Sequence, residues 1–226
     1  MGEPVTTVSP AEGYRLWSAW YDGDANPVTA LEQRLLADRI QIDGGSTVVD
    51  LATGTGRWLE YAMSRGARGI GLDISEPMLA VAANKNAVRG RLAVADICAL
   101  PLRDGFADVA ICSFALGYVA PIKRAFREMA RVARRVVVSD LHPDALDAGW
   151  SRSFRVGDWK YEIAHYYHSI EEMNAGARAA GLKAEWMMPA RFGEPERVIF
   201  EQAGKSITFD KARHVTAVMM SCWVHF

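Results

Sequence analysis

Cysteine is scarce in this 226-residue chain: Cys98, Cys112 and Cys222 are odd in number and lack metal-ligand spacing. A disulfide framework and a cysteine metal centre are therefore not expected, and the three read as reduced core thiols in a cytoplasmic protein. Long apolar runs are also missing. The longest, 109–122, is broken by Ser113, Gly117 and Pro121, too short and interrupted to cross a membrane. No charged stretch followed by an apolar one opens the chain, so no secretory leader is expected. Residues 1–6 formally fit a myristoylation pattern, but Glu3 and Pro4 are poor neighbours and no polybasic partner follows. The chain has almost no net charge, −1, which gives no pull on a phosphate backbone and disfavours a nucleic-acid partner. The densest basic cluster, Arg131, Arg134 and Arg135, lies at the end of a predicted helix, where cations complement the dipole. With 50% apolar and 23% charged residues the composition is ordinary for one globular α/β domain with a full core.

What is present is concentrated at residues 48–56, Val-Val-Asp-Leu-Ala-Thr-Gly-Thr-Gly. An apolar strand runs into Asp50, then into a tight loop that opens a helix. Gly54 and Gly56 permit positive φ and a close approach of backbone to ligand. The helix start presents unpaired N–H groups and a positive dipole end. Asp73 closes the next apolar run, 23 residues after Asp50, where a carboxylate accepts ribose hydroxyls. Loop and acid together point to an adenosine-containing cofactor. A dinucleotide fingerprint requires a third glycine where Leu59 stands, and no triphosphate loop is present.

The stretch resembles the first motif of class I S-adenosylmethionine-dependent methyltransferases of the small-molecule type, and is similar to the ubiquinone/menaquinone group. Asp50, Gly54 and Gly56 match, and Ala52 replaces the motif's first glycine. Gly71-Leu72-Asp73-Ile74-Ser75 resembles the second motif, and Ala95-Asp96-Ile97 with Leu100-Pro101-Leu102 the third. Residues 106–113 and 135–140 resemble the fourth and fifth strands. The resemblance implies S-adenosylmethionine as cofactor, S-adenosylhomocysteine as product and no metal. It implies cofactor contacts at Tyr14, Trp17, Asp50, Ala52, Thr53, Gly54, Gly56, Asp73, Ile74, Met78, Asp96, Ile97, Ser113, Phe114 and Tyr118. Asp73 would hold the ribose, Ile74 the adenine face and Asp96 the adenine amino group.

Alternating strands and helices predict a Rossmann-like α/β fold, a seven-stranded, mostly parallel sheet with helices on both faces. The strands are expected at about 47–51, 69–73, 91–95, 107–113, 135–140, 184–188 and 217–224, with helices at 27–40, 56–65, 76–87, 121–134, 169–181 and 195–203. Ser169 and Glu172 form a capping box. The organisation reads as an N-terminal helical cap (1–45, its first dozen residues loose), a cofactor-binding core (46–140), a lid insertion (141–168) and the C-terminal part of the sheet (169–226). The insertion reads as a β-hairpin turning at Gly157-Asp158, with Phe154, Val156, Trp159, Tyr161 and Ile163 on one apolar face. Its aromatic density (Trp150 to His168, Tyr166 and Tyr167 included) fits a lid over a flat substrate, a hairpin packed on the sheet, or a homodimer contact. Tyr14, Trp17 and Tyr21 resemble the leading-helix pattern of small-molecule members; the alternative is aromatics simply buried in core.

In open α/β sheets the ligand lies beyond the carboxyl ends of the strands. Ser113–Tyr118 and Leu141–Pro143 would therefore face the reacting methyl group. Methyl transfer is an in-line displacement in which positioning supplies most of the barrier lowering, and a general base serves weakly acidic nucleophiles. His142 is the first candidate base, followed by His165, His168 and Tyr21. The expected function is methylation of a small-molecule acceptor at O, N or C, with no nucleic-acid or membrane partner. The alternatives are a protein or RNA methyltransferase and a non-catalytic cofactor-binding module.

Overall fold

The computed structural model describes residues 4–23, 26–166, 168–202 and 206–226, so Tyr167 and the first three residues fall outside the described residues. The strands are β1 (Val5–Val8), β2 (Thr47–Leu51), β3 (Arg68–Asp73), β4 (Leu92–Val94), β5 (Ala107–Ser113), β6 (Ala133–Leu141), β7 (Ser153–Val156), β8 (Trp159–Ile163), β9 (Leu182–Ala190) and β10 (Val218–His225). Seven of them form one sheet in the order β4-β3-β2-β5-β6-β10-β9. All neighbours are parallel except β10, which runs antiparallel to both β6 and β9.

The helices are α1 (Pro10–Trp17), α2 (Pro27–Leu36), α3 (Arg57–Ser64), α4 (Glu76–Ala82), α5 (Ile122–Val132), α6 (Pro143–Asp147), α7 (Ile170–Ala179), α8 (Glu194–Gln202) and α9 (Ser206–Ala212). They cover both faces, and consecutive strand residues feed opposite cores. Val49, Ala110, Val136 and Val138 pack with Phe126 and Trp223 on one side. Val48, Val109, Ile111 and Val137 pack with Leu31, Trp58 and Met220 on the other. A strand buried on both faces must be apolar at every position, which is why these segments read as continuous Val/Ile/Leu runs.

Three expectations need correction. Residues 1–12 are not loose over the described part: β1 pairs parallel with β8, Val5 opposite Lys160 and Val8 opposite Ile163, and α1 begins at Pro10 with Ser9 as its cap. A four-residue strand acquires its partner from the inserted hairpin, a tertiary pairing no local pattern announces. Helix α2 stops at Leu36 rather than near Ile40, and α4 at Ala82 rather than 87, where a polar turn containing Asn84 and Lys85 follows. Helices α6 and α9 were not foreseen at all.

The hairpin β7–β8 forms with Gly157 at φ 57°, Phe154 opposite Tyr161 and Val156 opposite Trp159. Its apolar face is buried only at one end: Phe154 and Ile163 are covered, whereas Trp159 is 63% exposed. With β1 the hairpin makes a separate three-stranded sheet, β1-β8-β7. Gly13 of α1 lies so close to Ile163 that an added Cβ would meet its Cγ1 at 2.7 Å. The first turns of the chain and the insertion therefore form one packed cap.

Candidate active site

The loop after β2 takes three left-handed residues in alternation, Ala52 at φ 52°, Gly54 at 56° and Gly56 at 87°. Gly56 is also the N-cap of α3, so the loop delivers the helix start to the carboxyl edge of the sheet. Ala52 stands in a conformation that glycine adopts without cost, hence the loop carries local strain. Thr53 N–H donates to the Leu72 carbonyl at 3.0 Å, tying the loop to β3. Met78, buried beneath, comes within 3.4 Å of where a Gly54 Cβ would stand.

Two carboxylates brace this loop. Asp50 is buried, and one of its oxygens, Oδ2, accepts both the Thr53 hydroxyl at 2.6 Å and the Leu59 N–H at 3.0 Å. Burial pushes its carboxyl up to about 7, against the lowering effect of those donors and of Arg57. Asp73 ends β3; Oδ2 accepts the Gly54 N–H and Oδ1 the Ser75 N–H, each at 2.8 Å. Burial again raises its pKa, opposed by these backbone donors. Next to it Ile74 is 69% exposed, an apolar side chain held open beside an acid. Asp96 is exposed and uses Oδ1 to accept Cys98 N–H at 2.8 Å, with Ile97 half-buried beside it.

A fully buried acid that the sequence reading missed lies across the carboxyl edge. Glu32 of α2 accepts from Ser113 Oγ at 2.7 Å, from Ser139 Oγ, from Arg57, and from the Trp58 indole at 3.3 Å. Arg57 also donates to Gln33 at 2.6 Å and to Ser113 Oγ at 3.1 Å. The signal was present in the sequence: Glu32 sits on the same stripe as Val28, Leu31 and Leu35, an acid on an otherwise apolar helix face.

Above the edge, the aromatic residues of α1 and its following turn meet the hairpin. Trp17 stacks on Phe154 with ring centroids 4.9 Å apart, and Tyr21 stands edge-on to Trp17 at the same 4.9 Å. Tyr14 donates its hydroxyl to Tyr118 at 3.0 Å. Burial pushes the Tyr21 phenol up to about 12, and Tyr14 is likewise raised by burial, so both keep their protons at neutral pH. Two of these aromatics, Trp17 and Tyr21, line a cavity. It measures about 140 Å³ and is walled by Trp17, Tyr21, Asp22, Asn26, Thr29, Thr55 and Arg57. Asp22 accepts the Thr55 hydroxyl at 2.6 Å and pairs with Lys85 at 2.8 Å. The cavity thus offers a guanidinium and a carboxylate beside the glycine loop.

The base candidates scatter. His142 is the N-cap of α6: its Nδ1 accepts the Asp144 N–H at 3.1 Å, which commits the lone pair a base at that atom requires. The structure places His142 at this helix cap, outside the walls of the two cavities. His165 and His168 line a second, smaller cavity of about 20 Å³ with Gly117, Asp140 and Arg152. His168 Nε2 sits 2.9 Å from the Val119 carbonyl and His165 Nδ1 3.1 Å from that of Ile163. Among the described residues no helix is long and apolar enough to cross a membrane.

Comparison with known proteins agrees with the fold and the loop. A family model described as a methyltransferase domain matches residues 49–138. Over 104 residues the chain is 38% identical to a demethylmenaquinone methyltransferase of Thermus thermophilus, covering 42% of this chain and 47% of that protein. It is 31% identical over 124 residues to a malonyl-[acyl-carrier protein] O-methyltransferase of Pectobacterium atrosepticum, covering 55% and 48%. The chain spans about half the length of these curated relatives. A solved S-adenosylmethionine-dependent methyltransferase from Mesorhizobium loti superimposes with a TM-score of 0.69 at 20% identity, over 88% of this chain and 100% of that one, a likeness of fold. Residues 49–138 match a methyltransferase domain, and the fold is that of a solved S-adenosylmethionine-dependent methyltransferase.

Proposed function

We propose that the chain transfers a methyl group from S-adenosylmethionine to a small-molecule acceptor. The observation that carries this reading is that Arg57, paired with Glu32, and Asp22, paired with Lys85, both line a cavity of about 140 Å³ at the glycine loop. A zwitterionic amino-acid tail needs one group of each sign, and burial in a cavity requires that both its charges be matched. Asp73 and the exposed Ile74 lie on the other side of the same loop, suited to a ribose and an adenine face. These residues suit the two ends of S-adenosylmethionine, which when bound supplies an electrophilic methyl group on a sulfonium.

The chain's own residues have three tasks. Arg57, fixed by Glu32 and Gln33, and Asp22, fixed by Thr55, hold charges at set positions. The turn after β5, Phe114–Tyr118, orients the acceptor, and Tyr14, Tyr21 and Tyr118 donate hydrogen bonds or shield it from water. Positioning of this kind is worth up to roughly 7–11 kcal/mol of barrier. The relatives named demethylmenaquinone methyltransferase and malonyl-[acyl-carrier protein] O-methyltransferase support a quinone-type or an oxygen acceptor.

The test is release of S-adenosylhomocysteine from S-adenosylmethionine in the presence of a panel of naphthoquinols, phenols and carboxylic acids. Acceptor-dependent release, lost when Asp73 is replaced by Ala, is expected. Cofactor binding with no turnover on any member would leave a binding module in place of an enzyme.

A further inference from the structure

Resting on that reading, we propose that Arg152, from the inserted hairpin, is a positioning residue that sets the acceptor-facing turn 114–118 by holding its strained first residue. Phe114 sits at φ 51°, a left-handed conformation that a bulky residue does not adopt unless its surroundings impose it. Its N–H is fixed by the Ser139 carbonyl at 2.8 Å and its carbonyl by Arg152 Nη1 at 2.6 Å. The other arm of the guanidinium pairs with Asp140 at the end of β6. Asp140 in turn accepts the Gly117 N–H at 2.9 Å, so one ion pair grips the turn at both ends.

The same guanidinium lies 4.7 Å from the Tyr118 ring and 5.8 Å from that of Phe114. Tyr118 carries the hydroxyl to which Tyr14 donates. From farther along the insertion, Tyr166 N–H donates to the Gly117 carbonyl at 2.6 Å, and His168 reaches Val119. The insertion therefore does more than cover the site: it is the mould in which the turn is set. Lysine cannot substitute, because only a planar fork bridges a carbonyl and a carboxylate while stacking on an aromatic ring. Arg152 is buried, only 11% of its side chain exposed, and touches the turn rather than the cavity beside Arg57.

The experiment compares Arg152→Gln, Arg152→Lys, Phe114→Gly and the Phe114→Gly/Arg152→Gln double variant. Calorimetry with S-adenosylhomocysteine, steady-state methyl transfer and urea denaturation are the three readouts. Loss of the mould should lower kcat by roughly 100-fold, the scale of an ångström-level misplacement. Affinity for S-adenosylhomocysteine should fall by much less than kcat, because Arg152 itself lies outside the cavity beside Arg57. Glycine takes a positive φ freely, so Phe114→Gly should shrink both the kinetic and the stability cost of Arg152→Gln. Arg152→Lys should lose kcat like the glutamine variant, and it provides the kinetic comparison if that variant does not fold. Costs in urea that simply add across the double variant would overturn the proposal, as would cofactor affinity falling in step with kcat. If the wild-type protein turns over no acceptor, the methyltransferase reading fails by itself, and the urea coupling still decides whether Arg152 holds the turn.

Discussion

Ser113 Oγ donates to the Glu32 carboxylate at 2.7 Å, joining the last residue of β5 to a helix that precedes the whole main sheet in sequence. Ser139 of β6 reaches the same carboxylate, as does Arg57 from the start of α3. One buried acid thus gathers three elements at the carboxyl edge, where an open α/β sheet binds its ligand. Its charge is balanced by Arg57 and its lone pairs by hydroxyl and indole donors, the condition under which a buried carboxylate is tolerated.

Replacing Glu32 by Ala should cost about 3 kcal/mol, the lower end for a broken buried pair because about a third of Arg57 reaches solvent. Glu32→Gln keeps an acceptor oxygen for the two serines and should cost less. Urea denaturation of both variants measures the difference. Equal losses would mean that the ion pair is not the dominant element.

Ala52→Gly should stabilise the protein by about 0.5–1 kcal/mol. It removes a left-handed alanine at φ 52°, worth roughly 1–2 kcal/mol, against the larger unfolded-state entropy of glycine. A Tm unchanged or lowered would show that the loop holds no strain at this residue.

Asp50 predicts a pH dependence of definite sign. Burial raises its carboxyl from 3.8 to about 7 on folding. A group whose folded value is the higher contributes fully below the unfolded value and loses that contribution as pH rises through the folded one. Its contribution is therefore full below pH about 4 and lost through pH about 7. Asp50→Asn is the matched control: both donors converge on Oδ2, so the amide oxygen serves both. The stability of the Asn variant relative to wild type should grow between pH 4.5 and 8, by at most about 4 kcal/mol for a shift of about three units. A difference constant across that range would place the Asp50 titration elsewhere.

The seven strands of the main sheet and the glycine loop were legible because each rests on local chemistry. Five apolar runs, each ending in a turn or acid, can only stack as a parallel sheet buried on both faces. Gly54 and Gly56 announce the loop by their type. The cap was not legible in the same way. The pairing of β1 with β8 joins residues about 155 apart, and Val5–Val8 alone is too short to declare a strand. His142 stands after β6 as expected, and what the sequence did not show is that this place is the N-cap of α6, where its Nδ1 accepts the Asp144 N–H. Arg152 lay among aromatic residues that drew attention to stacking, and nothing local tied it to Phe114 or Asp140. Glu32 and Arg57 could have been found: one interrupts an apolar helical stripe, and the other directly follows the loop.

The most direct test of the account is a calorimetric titration with S-adenosylhomocysteine of the wild-type protein and of Asp73→Ala. Wild type should bind one molecule per chain, and the variant should bind at least about tenfold more weakly, the loss of about 1.5 kcal/mol of charge-assisted hydrogen bonding. No binding by the wild-type protein, or identical affinity in the variant, would contradict the assignment of an adenosine cofactor to the loop at Gly54.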